Sequence, residues 1–289
     1  MSPKTKNLLT RTASGAVYIA LMIAGVFMPP FMAMLMCLVS VIGVYEFCEM
    51  TSGPLDRLSE ALMMLPAFML GICIIHIEMG LSSWTTPGTS VAVSLLMTFY
   101  VIFYVMVMSV AELFRRRPCP IEQIGKGIFG LLWIVLPLGL LAAMTFPFPK
   151  LILAFLLMIW GNDTFAYLGG STYGKHKMFE RISPKKTWEG TLTGVVMTVV
   201  MAVLFWKIPF FADNGLLFSC PQWIILALLV SVFGTLGDLL ESLFKRNAGI
   251  KDSGKIMPGH GGILDRFDSI LFSATPVCIY FFLLYCSGF

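Results

Sequence analysis

The stretch QWIILALLVSVFGTLGDLLESLFKRNAGIKDSGKIMPGHGGILDRFD, residues 222–268, decides how this chain folds. Its first half is an apolar run of the length a bilayer core demands, about 20 residues for about 30 Å, and yet it carries Asp238 and Glu241. Its second half, Ser242 to Asp268, gathers Lys245, Arg246, Lys251, Lys255, His260, Arg266, Asp265 and Asp268 around Gly254, Pro258, Gly259, Gly261 and Gly262. Polar density of this kind beside membrane-length runs is costly unless it binds something highly charged, so the chemistry is expected here.

The rest of the 289-residue chain is greasier still. Hydrophobic residues make up 57% and charged residues 12%, against about 25% charged in soluble domains, and the mean hydropathy is +0.85. A polytopic membrane protein follows. The first apolar run ends at Pro29-Pro30 where a signal peptide would have a small-residue cleavage site, so a retained first helix is expected. Seven scattered cysteines without a C-x-x-C pair indicate neither a disulfide framework nor a zinc site.

Runs long enough to span fall at about 13–28, 31–47, 61–78, 90–111, 127–146, 151–168, 190–206, 222–244 and 264–286. The expected fold is an all-α, polytopic transmembrane bundle of about nine helices. Lysine and arginine favour the cytoplasmic side. With a cytoplasmic N-terminus and this count, 18 of the 20 basic residues lie inside, and only Lys150 and Lys207 lie outside. The net charge of +4 is thus explained by topology, with a bias toward anionic lipid, and is no nucleic-acid footprint. No repeat or soluble domain is evident. The chain reads as one membrane domain, residues 1–289, in which about 1–150 supplies packing, lipid-facing or dimerising helices and about 151–289 the unusual polar residues.

Asp238 lies seven residues, roughly 10 Å of helix, before Lys245. Glu241 has Lys245 at i+4, the favourable spacing for an ion pair, whereas position i+4 from Asp238 is Ser242, so Asp238 needs a partner from another element or a metal. Asp265 and Asp268, at i and i+3, share a face at the start of the last helix. One acid there suits the helix dipole; two, converging with Asp238, suit a hard divalent cation such as Mg2+ held by oxygen ligands. Asp268 is read as the supporting or capping member of the pair. The loop cations with the glycines are expected to close on phosphate, the backbone N–H groups joining Lys245, Arg246, Lys251 and His260.

A second polar segment follows the sixth run. Gly169 to His176, GGSTYGKH, falls one residue short of the P-loop pattern and follows an apolar helix, not a strand, so a P-loop is not expected. Asn162-Asp163 and the segment Ser183-Pro184-Lys185-Lys186, read as the start of a helix, are on the cytoplasmic side and able to reach the pocket of Asp238 and Asp265.

These residues resemble the signature of the phosphatidate cytidylyltransferases, or CDP-diacylglycerol synthases: S-x-x-K-R, four residues, K-D-x-G, two residues, an aliphatic, P-x-H-G-G, two residues, D-R-x-D. Ser242, Lys245-Arg246, Lys251-Asp252, Gly254, Pro258, His260-Gly261-Gly262, Asp265-Arg266 and Asp268 meet it, with Met257 at the aliphatic position. GDLLES and SPKKTWEG also look like family segments, so the resemblance covers about 155–275. It implies transfer of the cytidylyl group of CTP to phosphatidic acid, releasing pyrophosphate. It further implies dependence on Mg2+, a monovalent cation such as K+ as second metal, a frequent homodimer, and a metal pair corresponding to Asp238 and Asp265. In a bacterial-type cell the enzyme would sit in the inner membrane with its site facing the cytoplasm.

On this reading Asp238, Asp265, Lys245, Lys251 and Asp268 are the catalytic set. Ser183, Lys185, Lys186, Ser242, Arg246, His260, Gly261, Gly262, Arg266 and Asp163 bind substrate, with Lys185 and Lys186 on the phosphatidate headgroup. Two other readings stand beside it. A cation-coupled transporter also buries acids, though here they cluster at one face instead of the midplane. Another CTP-using lipid enzyme, such as a polyprenol kinase, would transfer the γ-phosphate.

Overall fold

The structure, a computed structural model, describes residues 3–51, 87–115, 119–213, 218–257, 259 and 261–286. Its helices are α1 (Pro3–Phe27), α2 (Pro29–Thr51), α3 (Pro87–Arg115), α4 (Pro120–Thr145), α5 (Pro149–Tyr173), α6 (Trp188–Lys207), the single turn α7 (Pro209–Ala212), α8 (Cys220–Asn247) and α9 (Leu264–Cys286). Among the described residues α2, α4, α5, α6, α8 and α9 are long and apolar enough to cross a membrane, and Arg11–Phe27 forms a shorter apolar helix. The expected span at 61–78 lies outside the described residues.

The all-helical expectation holds for the bundle, with one local departure. Ser183–Thr187 is a strand, not the start of a helix: it pairs antiparallel with Lys177–Phe179, giving β2 and β1 of a hairpin on the polar end of the bundle. Helix α6 begins only after it, where Thr187 Oγ1 accepts the Gly190 N–H at 3.2 Å as N-cap.

Proline punctuates the helices. Pro120, Pro149, Pro209 and Pro221 stand in first turns, where the missing N–H costs nothing. Pro137 stands inside α4, and the turn before it, Leu131–Val135, widens to a π-helix, the adjustment that keeps a helix running past a residue unable to donate.

Two packing features place the polar end. Phe47 of α2, Phe129 and Trp133 of α4 and Phe244 of α8 form an aromatic box with centroid separations from 5.2 to 6.1 Å, which fixes the rotation of α2 and α8 one residue from Glu46 and from Lys245. Helix α8 also lies so close to α9 that a Cβ at Gly237 would overlap the Asp268 carbonyl, the close approach that small residues permit between membrane helices. Away from these seams Leu192, Val196, Val200 and Leu204 form an exposed stripe at fourfold spacing along α6, the face that lipid would cover.

Candidate active site

Asp238 finds the partner its own helix denies it. The hairpin carries Lys186 to α8, where its ammonium lies 2.8 Å from Asp238 Oδ2 and donates to the Thr235 carbonyl at 3.3 Å. Asp238 Oδ1 accepts from Ser242 Oγ at 3.3 Å. The hairpin is anchored by Glu189, in the first turn of α6: its carboxylate accepts the backbone N–H groups of Lys175 and His176 and meets His176 Nδ1 at 2.5 Å. Asp238, Lys186, Lys185, Ser183 and Asp163 line one cavity of about 490 Å3. Asp163 accepts from Ser269 Oγ at 3.5 Å, Asp268 accepts the Ser269 N–H at 2.7 Å, and both acids lie within electrostatic range of Asp238. Asp163 and Asp238 thus share one cavity with Lys185 and Lys186 where α5, α8 and the hairpin converge.

Asp265 has a different set of partners. Its Oδ1 lies 2.6 Å from the Lys245 ammonium, which lies equally 2.6 Å from Glu241 Oε2. Its Oδ2 accepts Ser253 N at 2.9 Å, Ser253 Oγ at 3.1 Å and Gly262 N at 2.8 Å. The Glu241–Lys245 pair expected from spacing is present, but it is a buried triad with Asp265, the side chains 0%, 11% and 7% exposed. Lys245, expected on a triphosphate, is in this structure spent on joining α8 to the start of α9. Arg246 likewise ties neighbouring chain together, donating to the carbonyls of Ile182 and Ile250.

Gly261, at φ +86°, takes the left-handed conformation that favours glycine, and its carbonyl accepts the Met257 N–H at 2.9 Å, closing the loop. A Cβ there would sit 2.5 Å from Asp265 Oδ2. Gly262 gives its N–H to Asp265, so that amide serves a protein carboxylate where sequence reading assigned it to phosphate. The loop cations Lys251 and Lys255 instead line a second, open cavity of about 1110 Å3, together with Asp252, Glu46 and Glu49. Arg266 is exposed, and its carbonyl accepts Tyr18 Oη at 3.4 Å. His260 lies outside the described residues.

Sequence reasoning missed Glu46. It is 1% exposed on α2 and accepts Ile263 N at 2.9 Å, Leu264 N at 3.0 Å and Ser253 Oγ at 2.8 Å. The signal was the one that singled out Asp238, an acid inside an apolar run; its partners, more than 200 residues away in sequence, left no trace.

Among the described residues no three metal-ligating side chains converge, and Asp238 and Asp265 each hold a different ammonium group. The donors are nevertheless all hard oxygens, which fits Mg2+: it is commonly bound through one or two carboxylates, with substrate phosphates and water completing the shell. A divalent ion would be held by Asp238 and by Asp265 through Oδ1, in exchange for the Lys186 and Lys245 ammonium groups that pair with them, since Asp265 Oδ2 already faces Ser253 and Gly262.

The model of the cytidylyltransferase family matches residues 9–284. The chain is 48% identical over 118 residues to a phosphatidate cytidylyltransferase of Staphylococcus haemolyticus, a match covering 40% of this chain and 43% of that protein. It is 42% identical over 147 residues to one of Rickettsia conorii, covering 50% of this chain and 64% of the relative. The matches thus span about half the length of these relatives.

Proposed function

This chain belongs to the cytidylyltransferase family, and we propose that it transfers the cytidylyl group of CTP to phosphatidic acid in the bilayer, giving CDP-diacylglycerol and pyrophosphate. One observation carries the reading: a single helix, α8, brings a carboxylate and a hairpin ammonium together at one cavity, and ends in the basic loop that lines a second cavity.

The reaction brings together two anions. A phosphate monoester of charge about −1.5 to −2 must approach the α-phosphorus of a polyanion, and each unit-charge pair at about 4 Å repels by roughly 4 kcal/mol at an effective dielectric of 20. Lys185 and Lys186 offset that repulsion on the cavity side facing the hairpin, where the phosphatidate headgroup enters with its acyl chains still in lipid. Lys251 and Lys255 do so for the triphosphate on the loop side. Mg2+ held by Asp238 and Asp265 would supply charge neutralisation and polarise the α-phosphate. The attacking oxygen is already ionised at neutral pH, so in-line displacement needs no general base: the new P–O bond forms as the α–β bridging bond breaks, and pyrophosphate leaves with the electron pair. The buried Glu241–Lys245–Asp265 triad ties the end of α8 to the start of α9. The positive-inside distribution supports a cytoplasmic mouth and N-terminus.

Isotope placement tests the proposal. With purified protein, phosphatidate vesicles and Mg2+, label from the α-position of CTP is expected in the lipid and label from the γ-position in pyrophosphate. Label from the γ-position in lipid would indicate a kinase, and unlabelled lipid in both experiments would leave transport as the reading.

A further inference from the structure

Glu46 is buried and remote in sequence from every motif residue, yet its carboxylate touches only the motif. Both oxygens are used. Oε1 accepts Ile263 N at 2.9 Å, and Oε2 accepts Leu264 N at 3.0 Å and Ser253 Oγ at 2.8 Å. The two N–H groups belong to the start of α9, which has no intrahelical partners to offer them, so a side chain of α2 caps a helix more than 200 residues away. Ser253 Oγ stands also 3.1 Å from Asp265 Oδ2, so its single proton is shared between Glu46 and the carboxylate assigned to the metal. Space is given up for the contact as well: a Cβ at Gly254 would overlap Glu46 Oε1, and one at Gly262 would overlap Ser253 Oγ and Glu46 Oε2. Helix α2 is close enough to permit this because Gly43, one turn earlier, sits against Leu264, and because Phe47 is fixed in the aromatic box.

We infer that Glu46 is a positioning residue for the 251–264 loop: by holding Ser253, Ile263 and Leu264 from behind, it sets Asp265 and Lys251 in place for the nucleotide. The inference rests on the proposed cytidylyl transfer for what the loop binds, but the clamp itself is independent of it. All three groups donate to the carboxylate, so it serves here purely as an acceptor. An amide in its place can donate to Ser253 Oγ but then presents N–H to the N–H of Leu264.

Glu46→Gln, studied in the full-length protein in micelles containing phosphatidate, separates the clamp from general packing. Hydrogen exchange over residues 251–264 is expected to accelerate at least tenfold, with α5 and α6 unchanged. The KM for CTP is expected to rise at least tenfold while the KM for phosphatidate stays within twofold. Wild-type exchange over the loop would overturn the inference. A loosened loop with an unchanged KM for CTP would overturn the claim that Glu46 serves the nucleotide; the isotope experiment on wild-type protein tests cytidylyl transfer separately. Should Glu46→Gln not be recovered folded, Ser253→Ala removes the bridging hydroxyl without placing an amide in the core. The same two changes are then expected at three- to tenfold, and their absence overturns the inference equally.

Discussion

Lys245→Met is the sharpest perturbation of the site's architecture. The ammonium is 11% exposed and lies 2.6 Å from Glu241, 0% exposed, and 2.6 Å from Asp265, 7% exposed. Methionine fills much the same space, so packing changes little and the loss is electrostatic: two buried carboxylates at the junction of α8 and α9 are left without their shared cation. Removing one partner of a buried pair costs about 3–5 kcal/mol, equivalent at roughly 2–4 °C per kcal/mol to a fall in melting temperature of about 6–20 °C. Glu241→Gln in the same background removes one of the orphaned charges and is expected to recover part of the loss. Thermal unfolding of detergent-purified protein, followed by tryptophan fluorescence, measures both. A Lys245→Met protein that melts with wild type, or one that Glu241→Gln destabilises further, would refute the view that Lys245 is an internal tie.

Four other outcomes are expected. Lys186→Met leaves stability within about 1 kcal/mol, because its pair with Asp238 is partly exposed (23% and 33%) and such pairs contribute little. It should nonetheless lower cytidylyl transfer at least tenfold at fixed phosphatidate, and an unchanged rate would remove the hairpin from the site. Asp265→Asn is expected to abolish turnover while the protein still inserts and folds; substantial activity would take Asp265 out of the metal site. Gly262→Ala and Gly249→Ala separate crowding from backbone strain: Gly262 backs onto Ser253 and Glu46, whereas Gly249, at φ +69°, has open space around it. Unfolding should show a loss of about 1–3 kcal/mol or more for the first from overpacking and about 1 kcal/mol for the second. Chelation by EDTA is expected to stop turnover, and added Mg2+ to restore it; full activity in the chelator would exclude the divalent ion.

Apolar length made the bundle legible: the run marked at 151–168 is α5, Pro149–Tyr173, and that at 264–286 is α9 with the same bounds. Helix α5 overruns its apolar run at the polar end, through residues 169–173, because polar residues still satisfy a helical backbone once neighbours are packed against them. The hairpin was not legible, since two short strands, the second with Pro184 just before Lys185-Lys186, show no alternation. What holds them is Glu189, reached only after the chain turns back. Spacing found the Glu241–Lys245 pair but not that Asp265 completes it. The glycines were legible as a sign that something anionic approaches the backbone; that the anions include the protein's own Glu46 and Asp265 depends on contacts between distant segments, which no local pattern encodes.

The central claim, that the junction of α8, α9 and the hairpin performs the transfer, is tested most directly by α-labelled CTP turnover in purified Asp238→Asn beside wild type at matched melting temperature. Removing a group that stabilises transferring phosphate is expected to cost on the order of 100-fold or more, so the variant should put less than about 1% of the wild-type label into lipid. An Asp238→Asn protein that labels phosphatidate at a rate comparable to wild type would contradict the account.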